Sequence, residues 1–156
     1  VAFVTRVLHN NRPRSAVIFV LFFLLMEGGT VHAQTLQNLG NGICLDSSTG
    51  LMWQIGHGRR LDDHGKVEQY LTALDLGGYS DWRLPTILES KGLRLLIDIH
   101  GNGPCGIEKP MARYWMVDPK KGMVPVRLEL ESFCRGIYSL SAGKRGYVRA
   151  VRAATD

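Results

Sequence analysis

Spacings that build metal or nucleophile centres are missing from this chain. It has no CxxC pair, and His57, His64 and His100 fall at neither HxxxH nor HxxEH spacing, so zinc has no ligand frame. There is no G-x-S-x-G elbow and no phosphate-binding glycine loop, and the acidic residues are too scattered for an EF-hand. With no nucleophile visible beside a base, the expectation is a non-enzymatic protein with no metal and no cofactor. Glycine, at 18 residues, follows no Gly-X-Y period, which excludes collagen, and 45% hydrophobic residues are too many for a disordered chain.

A membrane-length apolar run is also lacking. Ala16 to Met26 is an unbroken apolar stretch of 11 residues, which as a helix spans roughly 17 Å against a hydrocarbon core of about 30 Å. Arg6, Arg12 and Arg14 precede it, and Val31-His32-Ala33 places small or short residues before a possible cut. Basic head, short apolar centre and small-x-small exit are the parts of a secretory signal peptide. The expectation is therefore a leader over 1–33 and a secreted or periplasmic protein without a stable membrane span once the leader is removed. The alternative is an uncleaved N-terminal anchor. Without the leader, 123 residues remain with 16 Lys and Arg against 13 Asp and Glu, a net charge of +3. Signs so interspersed describe an ordinary surface and no nucleic-acid footprint.

Cys44, Cys105 and Cys134 are three, so one internal disulfide at most forms in an oxidising compartment. Cys105 and Cys134 lie in glycine-rich, loop-like surroundings, whereas Cys44 sits in an apolar strand-like segment. Cys105 with Cys134 is the expected pair, closing a loop of about 30 residues for roughly 3–4 kcal/mol. Three buried thiols are the alternative.

Along the remaining chain, 34–41 reads as a loosely held entry. Ile43–Asp46 and Leu51–Gln54 form a hairpin whose loop Asp46 and Gly50 can shape. Gly56 to Gly65 reads as a surface loop. Val67, Tyr70, Leu71 and Leu74 make the apolar stripe of a helix starting near Asp63 or His64 and stopped by Gly77-Gly78. Pro85 bars helix at Leu84. Thr86-Ile-Leu-Glu89 is a capping box opening a second helix to about Ile99. Strands follow at Tyr114–Val117, at Val126–Leu130, and at Tyr147–Arg152. Hairpin, helix, helix, strands is an α+β order with helices against a mainly antiparallel sheet.

The segments Asp46-Ser-Ser-Thr-Gly-Leu-Met-Trp-Gln54, Gly78-Tyr-Ser-Asp-Trp-Arg-Leu-Pro-Thr86 with Glu89, Tyr114-Trp115 and Val148-Arg-Ala-Val-Arg152 resemble the Lcl C-terminal domain family, long catalogued as a domain of unknown function. The similarity spans 42–152, leaving a tail at 153–156. That resemblance implies a fold related to C-type lectins and to the formylglycine-generating enzyme, with a twisted antiparallel sheet flanked by two helices. Ser90-Lys91-Gly92 stands as an insertion against the family pattern, and Met116-Val117 replaces its usual serines. The Glu-Pro-Asn and Gln-Pro-Asp signatures of calcium-dependent lectins are absent.

Trp53, Trp82 and Trp115 with Tyr79 and Tyr114 are expected as packed anchors rather than as a sugar-stacking platform. Asp81 and Arg83 are expected to pair across the turn, and Arg149 and Arg152 to pair with Glu129 or Glu131. Arg59, Arg60, Lys120, Lys121, Lys144 and Arg145 form three basic pairs in loops, candidates for an anionic ligand. The expected function is an exported binding or adhesion-type module for a glycan, another anionic polymer or a protein. The alternative is a degenerate relative of the formylglycine-generating enzyme with redox chemistry at Cys105 and Cys134.

Overall fold

A computed structural model of the chain describes residues 35–107, 112–132 and 137–154; the leader expected over 1–33 and Cys134 lie outside them. The fold is α+β, with two helices and two sheets, neither closed into a barrel. The first sheet has the order β1-β2-β3-β9 and is antiparallel throughout, from β1 (Leu36–Gly40), β2 (Ile43–Asp46), β3 (Leu51–Gln54) and β9 (Val151–Ala153). The second has the order β4-β8-β5-β6-β7, from β4 (Arg60–Leu61), β5 (Tyr114–Asp118), β6 (Gly122–Ser132), β7 (Ile137–Ala142) and β8 (Gly146–Tyr147). Its β5–β8 pairing, at Tyr114 and Tyr147, is parallel.

Helix α1 covers His64–Thr72, with the Asp63 carboxylate accepting from the Lys66 N–H at its start. The two glycines expected to stop it come later. Both take positive φ, +66° at Gly77 and +79° at Gly78, and turn the chain back toward Trp82. A Cβ on Gly77 would displace the end of the Ile43 side chain, and the positive φ is what calls for glycine there. Helix α2 covers Ile87–His100 and begins at the expected capping box. Among the described residues no helix is long and apolar enough to cross a membrane.

Several expectations are corrected. The entry segment is strand β1, because its backbone finds partners along β2 from Leu36↔Asp46 to Gly40↔Ile43. The loop after Gly56 contains β4, held by β8. The expected last strand splits into β8 and β9, and 148–150 between them threads the interior, with Val148, Ala150 and Val151 fully buried.

Cys105 bonds to Cys44, not to Cys134, with the two Cα atoms 5.6 Å apart. The strand-like setting of Cys44 is the reason. Its side chain leaves the sheet on the buried face, and Cys105, in the short 3-10 turn Gly103–Cys105, packs against it with Leu36, Trp53 and Ile97. The Asn38 amide donates to Pro104 O at 3.1 Å and holds that turn beside β1. Redox chemistry shared between Cys105 and Cys134 loses one of its sulfurs to this bridge.

The ion pairs are also redistributed. Asp81 accepts from Arg152 at 2.7 Å, and Arg83 pairs with Glu89 at 2.7 Å, so Asp81 and Arg83 do not bond each other. Adjacent residues in extended backbone point apart, and two residues on, Arg83 shares the Asp81 side only if no better acceptor is near; the capping glutamate is that acceptor. Arg152 thus serves Asp81, and Glu129 takes Arg127 at 3.1 Å. Arg149 donates to the Gly56 and Ile55 carbonyls and lies 4.9 Å over the Tyr114 ring. Both arginines are buried, at 5% and 4% exposure, out of reach of the outer face of β6.

Candidate functional site

Two of the sequence segments singled out above meet at one groove. On its first side stands the β2–β3 turn. The buried Asp46 carboxylate accepts from Ser48 N–H at 3.0 Å, Ser48 Oγ at 2.6 Å and Thr49 Oγ1 at 2.8 Å, which fixes the loop. Gly50, at φ +67°, completes the turn. Asp46, Thr49, Leu51 and Trp53 line this wall.

The opposite wall is the first half of α2. Pro85 keeps the preceding backbone extended, and its carbonyl accepts from Val117 N–H at 2.9 Å, tying the helix start to β5. Glu89 accepts from Thr86 N–H at 2.7 Å, while Thr86 Oγ1 accepts from Glu89 N–H at 3.1 Å. Arg83 donates twice to the same carboxylate, at 2.7 and 3.0 Å. The Arg83 hydrogen bonds foremost, helped by the Thr86 groups, hold the Glu89 carboxyl down at about 2 against the opposing effect of burial. Leu88, Glu89, Lys91, Gly92 and Leu95 face the groove, and the Tyr138 ring closes one side. The groove is open to solvent and has a volume of about 610 Å³, within the range of small-ligand sites.

Glu89 carries a testable pH dependence. Its folded pKa lies below its usual value of 4.5, so its contribution is complete above that value and is lost as pH falls from about 4.5 toward 2. Glu89→Gln is expected to cost about 1–2 kcal/mol at neutral pH, as a lost cap plus a screened surface pair. The deficit should shrink on acidification, which urea titrations at pH 7 and pH 3 would read; an equal deficit at both would show that the charge is not involved.

Trp53 also borders a small cavity of about 30 Å³ with Tyr114, Met116 and Arg149. The indole N–H of Trp53 is buried without an acceptor. Asp98 accepts from Arg94 at 2.9 Å and from the Tyr138 hydroxyl at 3.1 Å. Burial first, and then the Asp98 carboxylate, push Tyr138 up to about 12. Trp53, Trp82 and Trp115 are each at most 5% exposed and offer no open ring face to a sugar. Tyr79 stacks under Arg152, whose guanidinium is 3.9 Å from the ring centre.

The basic pairs divide into two groups. Pairing of β4 with β8, Arg60↔Tyr147 and Leu61↔Gly146, puts Arg60 on the same sheet edge as the segment that leads from Lys144 and Arg145 into β8, and the residue that meets Arg145 there is Asp62. Asp62 accepts from Lys66 at 3.0 Å and from Arg145 at 3.2 Å, and these cations, Lys66 foremost, hold its carboxyl below the usual range. Arg59, Arg60 and Lys144 are exposed and enter no ion pair among the described residues. Lys120 and Lys121 sit instead on the β5–β6 turn, shaped by their N–H groups donating to Asp118 at 2.8 and 3.0 Å.

Leu88 and Lys91 were missed from the sequence. The signal was a second helical stripe, Leu88, Gly92, Leu95 and Ile99, beside the core stripe of Ser90, Leu93 and Ile97. Among the described residues no three His, Cys, Asp or Glu side chains group as a metal site. The chain matches no protein-family model, no curated protein and no solved structure.

Proposed function

We propose that this chain is an exported, non-enzymatic binding module on a lectin-like scaffold of the Lcl C-terminal type, which engages an anionic polymer such as an acidic glycan. The pairing of β4 with β8 is the observation that carries the reading. It brings Arg59 and Arg60 to the same edge of the second sheet as Lys144 and Arg145, from two segments far apart in sequence, and of these four only Arg145 is bonded to a carboxylate among the described residues, that of Asp62. Polyanion recognition needs such a cluster of exposed cations and no deep pocket, and salt weakens it. The titratable groups around the groove support a non-catalytic role, since Asp46, Glu89, Asp98 and Tyr138 are each bonded within the fold.

Heparin-column elution tests the reading. Exchanging Arg59, Arg60, Lys144 and Arg145 for Ala is expected to move elution to clearly lower salt, and exchanging Lys120 and Lys121 to move it less. Equal shifts from the two sets, or none, would exclude the β4–β8 edge as the polyanion site.

A further inference from the structure

We propose that the groove between the β2–β3 turn and the start of α2 binds a small amphipathic carboxylate, an anionic head on an acyl-type apolar body. Four features of the groove carry this. First, its walls present Leu51, Leu88 and Leu95, with the buried Trp53 and Tyr138 rings behind them, and Leu88 is 80% exposed, the highest among the large apolar side chains described. A leucine so placed on a concave wall gains from apolar cover.

Second, the polar groups of the walls are already committed. Asp46 holds Ser48 and Thr49, Glu89 holds Arg83 and Thr86, and the Tyr138 hydroxyl donates to Asp98. A sugar or a peptide would bring many donors and acceptors into this groove and leave them unanswered, which costs affinity. A body with little polarity meets no such penalty.

Third, one charge on the walls is uncommitted. Lys91 is half-buried and enters no hydrogen bond or ion pair among the described residues. Its ammonium complements a single anionic head, and a half-desolvated cation beside apolar surface favours one over a neutral or cationic ligand. Fourth, Gly92 opens the space. A Cβ there would meet nothing within 4 Å, so the glycine serves no packing contact inside the fold while costing helix stability.

Decanoate, decan-1-ol and decyltrimethylammonium, titrated by calorimetry against the full chain, test the proposal. Decanoate is expected to bind saturably at one site with a dissociation constant below about 1 mM, ahead of the other two. Lys91→Glu should weaken decanoate roughly tenfold or more and strengthen decyltrimethylammonium, an inversion that a general loss of structure cannot produce. Gly92→Leu fills the groove at a helical position where leucine is the better helix former, so it should abolish decanoate binding without lowering the unfolding midpoint. Equal binding of all three probes, no saturable binding, or full binding by Gly92→Leu would each overturn the assignment. The site is separate from the β4–β8 edge. The Arg59, Arg60, Lys144 and Arg145 substitutions should leave decanoate binding unchanged, and Lys91→Glu should leave heparin elution unchanged, so the two readings fail independently.

Discussion

Replacing Cys44 or Cys105 by Ser is expected to lower the unfolding free energy by about 4 kcal/mol, the chain-entropy value for a loop of this size. The bond joins residues 61 apart in sequence, and its release frees a long stretch of the unfolded chain. Both half-cystines are buried, at 0% and 4% exposure, so neither thiol would gain contact with water in return. Domains of this size are commonly stable by only about 5–15 kcal/mol, which makes the loss a large share of the total. Urea unfolding with and without reductant measures it. Cys134→Ser should leave that sensitivity to reductant in place, whereas loss of sensitivity in Cys134→Ser would return the pairing to the loop cysteines.

The second large effect lies at Trp53. This residue is 2% exposed, packs in the same cluster as the disulfide, and pairs across β3 with Cys44 on one side and Val151 on the other. Trp53→Ala is expected to cost about 3–5 kcal/mol through lost burial and a cavity that the bridged neighbours cannot close. Trp53→Phe should cost far less, about 1–2 kcal/mol, because the indole N–H it removes has no acceptor and only ring volume is lost. Denaturant midpoints of the two variants give the comparison. Near-equal losses would mean that the N–H is bonded after all.

Local rules made much of this molecule legible. Pro85, Thr86 and Glu89 announce a helix start by spacing alone, and Asp46 and Gly50 announce a turn; both are present with the expected partners. Chain reversals governed by a few adjacent residues are readable because their hydrogen bonds close within three or four positions. The unread features depend on strand partners rather than on local turn signals. Strand β7 is short, uncharged and rich in serine, and its order comes from six paired positions on β6. Strand β4 has two residues and exists only because β8 supplies its ladder. Loop composition suggested that Cys105 and Cys134 belong together, but a disulfide follows the direction of side chains in the folded core, which composition does not encode. The basic pairs were readable as residues but not by position, since the β4–β8 pairing decides which of them share a sheet edge.

The 148–152 segment has a consequence for the order of folding. It completes the first sheet through Val151 against Trp53, exchanges two backbone bonds with Arg83, and donates from Ala150 N–H to the Gln54 amide oxygen. A chain emerging from the ribosome can form the β2–β3 hairpin early, yet the edge of β3 stays uncovered until residues 151–153, about a hundred positions on, have appeared. A nascent polypeptide stalled before residue 148 would present Trp53 and Met52 to chaperones and proteases, and protease resistance should be acquired only once residues 148–153 are free to pair.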